Sequence, residues 1–542
     1  MNSRYQVGFA VAVATAVATL AGCVGPAYVK PKVDTPQAFK ESSPAAYANA
    51  DSGAWQPARP QDAALKGKWW ELFNEPELNE LEEQLNINNQ NIALYFQNFM
   101  AARAQVSIAR SQYFPTLTTS PSATRTHSSR ALTNGASTAG STTTAGGAGS
   151  GGTPTGGTTT TTPGGTTAVG STGGVAGSSG STFNVFQMPF DVSWEPDLFG
   201  RVRNAVREAK YAAQVSAADL ENERLTEQAS LAQFYFELRG QDALQDIYNK
   251  TIAAQKQSLD LTRVLVETGI DSPEDVAQAE ATLANTEATA VGVATNRAIY
   301  EHAIATLVGK PASDFSVPVK SLGTNLPQLP VGVPSRLLER RPDIAAAERT
   351  MAEANALIGV ETAAYFPTFD LTAAGGWEAS ALKNLFTAPA RFWSLGASGS
   401  ETIFDGGLRR ATLRQYNAQF NADVAAYRQT VLTAFQQVED YVASVRVLSQ
   451  QIERQKAAVA AAQRFLDIAN TRYHTGIDPY LNVITAETTL LNDQQTEVTL
   501  RVSELTAAVQ LIQALGGGWD NSQLPSADDV TSQQAADRVR GH

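Results

Sequence analysis

The chain has 542 residues, a formal net charge of −12 and only 17% charged side chains. So acidic and charge-poor a composition excludes a nucleic-acid footprint, which needs clustered Lys and Arg. Cys23 is the only cysteine, so the chain has no internal disulfide framework, and its length suits two or three folded units or one elongated body.

Residues 1–22 read as an export signal. Arg4 supplies the positive start, and Val7 to Leu20 is apolar or small but too short for an ordinary membrane span. Leu20-Ala21-Gly22-Cys23 resembles the processing box of bacterial lipoproteins, which makes Cys23 the expected site of covalent lipid attachment. Val24 and Gly25 follow it, not an aspartate, which under the usual sorting rule favours outer-membrane delivery. A lipid holds a chain at a membrane without making it cross. No later stretch offers the run of apolar residues that a spanning helix needs, which leaves a closed barrel as the way across.

Residues 23–65 are expected to form the anchor and an extended segment. Residues 66–112 read as helical, with Trp69, Trp70, Leu72, Leu78, Leu81 and Leu85 at mixed spacings of three and four. Tyr113-Phe114-Pro115 ends that region, because proline removes a donor and pushes its predecessor toward extended geometry. A first β-hairpin is expected over 113–199. Inside it, residues 131–182 are almost wholly Gly, Thr, Ser and Ala, with no side chains to offset the entropy of ordering, and read as a flexible extracellular loop. Phe186, Met188, Phe190, Val192 and Trp194 then alternate with Gln187, Asp191, Ser193 and Glu195. A soluble sandwich and a transmembrane barrel both produce that period of two, and about ten alternating positions with aromatics near the ends favour the barrel.

A long helical hairpin is expected over 200–309 with its tip near 269–273, then a linker at 310–341 and a helix at 342–364. A second β-hairpin follows over 365–405, in which Phe369, Leu371 and Ala373 alternate and so do Trp393, Leu395 and Ala397. The second long hairpin, 406–515, has its tip near 476–479. Along it Val424, Val431, Val438, Val445, Ile452, Val459, Leu466 and Tyr473 recur every seventh residue, with Tyr427, Ala434, Tyr441 and Leu448 three residues on, a coiled-coil seam. Roughly seventy residues at about 1.5 Å each span on the order of 100 Å. A tail, 516–542, completes the chain.

The chain also repeats itself. Tyr113-Phe114-Pro115-Thr116 returns as Tyr365-Phe366-Pro367-Thr368, and Thr268-Gly269-Ile270-Asp271 as Thr475-Gly476-Ile477-Asp478, the order expected of an internal twofold structural repeat. The first copy carries about 45 extra residues, close to the length of the Gly/Thr-rich loop. Two hairpins per chain give four strands, too few for a barrel with a channel, whereas three copies give twelve, inside the outer-membrane range. A homotrimer follows from that count.

The chain resembles the trimeric outer-membrane channels of tripartite efflux systems, specifically the lipoprotein branch serving resistance-nodulation-division pumps. The resemblance rests on Leu20-Ala21-Gly22-Cys23, Trp69-Trp70, Tyr113-Phe114-Pro115, Trp194 through Gly200, Arg341-Pro342-Asp343-Ile344 with Ala347-Glu348, Tyr365-Phe366-Pro367, Phe404-Asp405-Gly406-Gly407 and Ala514 through Trp519. It implies an α+β membrane protein: a trimeric twelve-stranded transmembrane β-barrel continuous with a long periplasmic α-helical coiled-coil barrel. An equatorial belt would take in parts of 66–112, the 310–341 linker and an equatorial or flexible 516–542 tail. The implied partners are a periplasmic adaptor and an inner-membrane resistance-nodulation-division transporter, beside outer-membrane lipid. It also implies a resting gate within Tyr473–Thr488, with Leu481 matching an apolar constriction position. Thr485 and Thr488 stand where an aspartate and an arginine often occur, which shifts the expected gate toward Leu481, Arg472, Tyr473 and Asp478. Gly269, Ile270, Asp271, Gly476, Ile477 and Asp478 are the expected adaptor contacts.

No catalytic constellation appears. His127, His302, His474 and His542 are scattered without a second ligand at metal spacing, and no phosphate-binding glycine loop is present, so no metal or other cofactor is expected beyond the Cys23 lipid. Two other readings remain open at this point: the exit duct of a type I protein secretion system, and a surface-anchored coiled-coil spacer without a pore.

Overall fold

The computed structural model describes residues 25–33, 35–36, 39–41, 67–127, 182–269, 272–323, 326–327 and 340–540. Cys23 and the 1–22 signal, all of the 131–182 loop but Thr182, and the tip residues Ile270 and Asp271 lie outside them. The chain divides into a helical unit, 1–113 with 197–367 and 401–542, and a sheet unit, 114–196 with 368–400.

In the helical unit a tight turn at Trp69–Phe73 precedes α1 (Pro76–Asn88) and α2 (Gln90–Ser111). The sequence reads 66–112 as one helical region; Asn89 splits it. Its backbone is extended, and its side chain accepts from the Asn91 and Ile92 amides, capping α2 where α1 stops. Trp69, Trp70 and Phe73 are buried in an aromatic knot that reaches Phe236, with the Phe73 and Phe236 rings 5.0 Å apart.

Two pairs of long helices follow the same plan. α3 (Arg201–Glu267) and α6 (Leu408–His474) have 67 residues each; their partners α4 (Pro273–Leu307) and α7 (Tyr480–Ala514) have 35. The remaining length of the long helices packs against α2 and α5 (Pro342–Ala363), of 22 residues each. On α6 the seven-residue seam is the buried stripe: Val431, Val438, Val445, Ile452 and Tyr473 are all buried. Full burial of each valine contributes roughly 1.5–3 kcal/mol. Against α3, α5 offers small residues, and at Gly359 an added Cβ would meet the Asn204 side chain at 2.7 Å.

Buried charge fastens the linker after α4. Asp242 of α3 accepts from Arg239 at 2.8 Å, Arg297 of α4 at 2.7 Å and the Lys320 amide at 3.2 Å. Arg239 and Arg297 reach on to the Pro318 and Val317 carbonyls, each at 2.6 Å. Removing one partner of such a buried set costs about 3–5 kcal/mol.

The described part of the 23–65 segment is a strap across α5 and α6. Tyr28 donates to Glu348 at 2.7 Å, Asn355 to the Pro26 carbonyl at 3.0 Å, and Phe39 is buried beside Phe435. The described tail is packed, not flexible. Arg103 of α2 donates to the Val530, Thr531 and Ser532 carbonyls, and Arg224 of α3 reaches the Val539 carbonyl in α8 (Gln533–Arg540). Gly517, with φ of +57°, lets this turn approach α3, since a Cβ there would stand 2.0 Å from Leu225.

The sheet unit is one antiparallel sheet of β1 (Thr116–Thr119), β2 (Ser122–His127), β3 (Thr182–Trp194), β4 (Thr368–Ala379) and β5 (Arg391–Ser400). β1 and β2 pair with β3 in one continuous register, Thr119 opposite Phe190 and Ser122 opposite Gln187. They make one strand, interrupted where Pro121 and Pro189 supply no amide hydrogen. Opposed residues share a face. Leu117, Val192, Ala373 and Leu395 therefore lie side by side, as do Phe190, Gly375 and Trp393, on one apolar face. Thr118, Asp191, Ala374 and Ser394 line up on the other. The apolar run from Phe186 to Trp194 covers about 30 Å of strand, which matches the ~25 Å apolar band of a tilted transmembrane barrel.

Candidate gate at the helical tip

Both long hairpins turn on a glycine in the left-handed region, Gly269 at φ +78° and Gly476 at +70°. After Gly269, Ser272 and Asp275 form a capping box that restarts the chain as α4. After Gly476, the Ile477 amide returns to the Arg472 carbonyl at 2.9 Å and the Gly476 amide to Tyr473 at 2.8 Å, closing the last turn of α6. Ile477 is left exposed.

The two hairpins meet above these turns in a small core of Leu259 from α3, Ala279 from α4, Ala469 and Tyr473 from α6, and Tyr480, Val483 and Ala486 from α7. Tyr473 is buried there, its ring 5.2 Å from Tyr480 and its hydroxyl 2.9 Å from Thr262 of α3. Because the Thr262 hydroxyl donates to the Ser258 carbonyl, Tyr473 is the donor of this pair. Tyr473 is thus a bolt between hairpins and no part of an exposed charged surface.

Arg472 and Asp478 engage each other. Arg472 Nε and Nη2 donate to the two Asp478 oxygens at 2.6 and 2.9 Å, a bidentate bridge across the turn. That bond is the first cause holding the Asp478 carboxyl below its usual range, and it raises Arg472 in turn. Leu481 is 51% exposed, and Thr485 and Thr488 are exposed one and two turns further along the same face of α7. The Thr485 hydroxyl donates back to the Leu481 carbonyl at 2.8 Å, so this face is polar but uncharged. Of the expected adaptor contacts, Gly269, Gly476, Ile477 and Asp478 lie at these turns.

Glu487, on the opposite face of α7, escaped the sequence reading. It is the single charged residue between Asp478 and Asp493 and falls on the buried stripe with Tyr480 and Val483, a pattern visible in the sequence alone. Thr262, more than two hundred residues from Tyr473, left no such signal.

A helical unit of paired long hairpins and a sheet unit with one apolar and one polar face define a membrane channel of the kind that joins a helical barrel to a β-domain. The sequence profile of outer membrane efflux proteins matches residues 81–310 and 333–517. The toluene efflux pump outer membrane protein TtgC of Pseudomonas putida is 29% identical over 514 residues, 93% of this chain and 95% of that one. The antibiotic efflux pump outer membrane protein ArpC of the same species is 30% identical, covering 86% and 88% of the two chains. Among solved structures, the outer-membrane channel OprN superposes with a TM-score of 0.76 at 27% identity, covering 92% of this chain and all of that one. The chain belongs to the outer membrane efflux protein family, whose members are transport channels, and it serves as the outer-membrane component of an efflux pump. The secretion-duct alternative is not favoured, since these relatives are efflux components.

Proposed function

We propose that three copies of this chain, each contributing four strands and two long helical hairpins, build a closed duct through which an adaptor and an inner-membrane resistance-nodulation-division transporter expel small molecules. The observation that carries this reading is the sheet: a continuous apolar face combined with two outer strands, β1/β2 and β5, that have one unpaired edge each among the described residues. Open edges are excluded from hydrocarbon, so a sheet of this kind crosses a membrane only by closing with others. Twelve strands put the polar face inside, where it lines a water-filled bore.

The equal lengths of α2 and α5, α3 and α6, and α4 and α7 support a twofold repeat within each chain, giving walls of near-sixfold symmetry. Cys23 carries the lipid that holds the N-terminal strap at the outer membrane, and the 131–182 loop lies on the external side. At rest Leu481, Thr485 and Thr488 face the axis at the periplasmic tip, and the adaptor opens it by drawing the hairpin tips apart. Energy enters through the pump partner. The toluene and antibiotic relatives suggest apolar small molecules as cargo.

Conductance of the purified protein in planar bilayers tests the reading. A trimeric mass in detergent, low current from the native protein and larger current from Leu481→Ser are expected. A monomeric mass, or no current from either protein, refutes it.

A further inference from the structure

The tip core is apolar, yet one carboxyl lies inside the seam between hairpins. Glu487 of α7 is 5% exposed and Gln255 of α3 is 4% exposed, and the Gln255 amide lies near enough to act on the carboxyl as a donor. Among the described residues each partner keeps one buried oxygen without a hydrogen bond, Oε2 of Glu487 and Oε1 of Gln255. With the carboxyl ionised, both of these oxygens can only accept, a costly arrangement away from water. Protonation supplies the missing donor. An acid and a primary amide can exchange two hydrogen bonds, amide N–H to one acid oxygen and acid O–H to the amide oxygen.

We propose that Glu487 and Gln255 form a proton-operated latch between the two helical hairpins of each protomer, fastened when Glu487 is protonated and released when it gives its proton to solvent. The latch rests on the reading of this tip as the gate and adds to it a coupling between opening and pH. Burial is the largest influence on Glu487 and pushes it from 4.5 up to about 7, with donation from Gln255 acting in the opposite sense. Moving the hairpins apart admits water and returns the group toward its ordinary value. The fastened state therefore binds the proton more tightly. Its advantage is complete below about 4.5 and is lost as the pH rises through about 7.

The surrounding groups leave this switch largely to Glu487. Tyr480 couples to it, but burial holds that phenol up to about 12 and keeps it neutral throughout. On α3 and α4, Lys256 pairs with Glu287, and Arg263 with Asp260 and Glu280, all in exposed bridges. On α6, Arg472 is taken by Asp478, while Arg464, Asp467 and His474 are exposed. His474 carries the only imidazole at this tip among the described residues, so it needs its own control.

Open probability of the purified full-length protein in planar bilayers, read from pH 5 to pH 8 in symmetrical salt, tests the latch. The native channel and His474→Gln are expected to open at least about tenfold more often at pH 8 than at pH 5, well within what a carboxyl shifted this far can drive. Glu487→Gln, whose amide can pair with Gln255 at every pH, is expected to stay at the pH 5 level. A flat native profile, or a step that survives in Glu487→Gln, overturns the proposal. Leu481→Ser separates the two layers: current from it beside a flat native profile removes the latch alone, and no current from any variant removes the duct reading as well.

Discussion

Replacing Tyr473 with phenylalanine removes one hydroxyl from the tip and nothing else of size. That hydroxyl donates to Thr262 at 2.9 Å across the seam between hairpins, and Thr262 keeps its own bond to the Ser258 carbonyl when the tyrosine oxygen is gone. No donor is orphaned, so the loss is the net worth of a neutral buried hydrogen bond, about 1 kcal/mol. If opening separates these two residues, the closed state loses about fivefold per protomer, or roughly 100-fold when three protomers open together. Single-channel recording of open probability at pH 6 measures this directly. Thr262→Val should shift the equilibrium in the same direction, because it deletes the acceptor of the same bond. The double variant should fall short of the sum, since both changes delete one bond. An unchanged open probability in Tyr473→Phe, or strict additivity in the double variant, refutes the claim that this bond fastens the gate.

Other expectations concern separate parts of the molecule. Asp478→Asn frees Arg472 from its bridge and should speed tryptic cleavage after Arg472, as should high salt on the native protein; equal cleavage rates count against the bridge. Because Arg472 lowers the Asp478 carboxyl, the bridge persists above the ordinary carboxylate range and is lost only as pH falls through the lowered value, so Asp478→Asn should leave the pH 5 to 8 conductance profile without a new step. Leu395→Arg places a charge on the apolar face and should cost about 2–4 kcal/mol near the bilayer midplane, whereas Ser394→Arg on the polar face should be tolerated. Urea unfolding from vesicles compares the two. Gly240→Ala puts a Cβ 2.5 Å from a Val502 methyl where α3 meets α7, and should destabilise by about 1–3 kcal/mol through overpacking, read as a lower thermal midpoint.

Much of the architecture rests on signals that neighbouring residues carry together. The seven-residue recurrence from Val424 to Tyr473 runs along the buried stripe of α6, and the alternation from Phe186 to Trp194 lies on one face of β3. Gly269 and Gly476, read as turn residues, hold positive φ angles. Misreadings and open alternatives arose where one residue redirected the backbone or where distant segments supplied the partner. Asn89 turned one helical region into two by capping with its own side chain. The two alternatives for the tail, equatorial or flexible, stayed open in the sequence because its fastening groups, Arg103 and Arg224, lie several hundred residues away.

The tip shows the same division. Its position, its glycine turns and the uncharged run through Leu481, Thr485 and Thr488 are properties of local sequence, since helix termination and helix faces depend on residues within a few positions of one another. Which groups at the tip act together was a matter for the folded chain. Arg472 and Asp478 consume each other's charge, Tyr473 reaches Thr262, and Glu487 meets Gln255. Those pairings depend on how two hairpins coded far apart settle side by side, and the cost of burying a carboxyl or a hydroxyl is set by what that packing excludes. Periodicity along a chain reports which face turns inward; only the packed neighbour determines what chemistry that face then encounters.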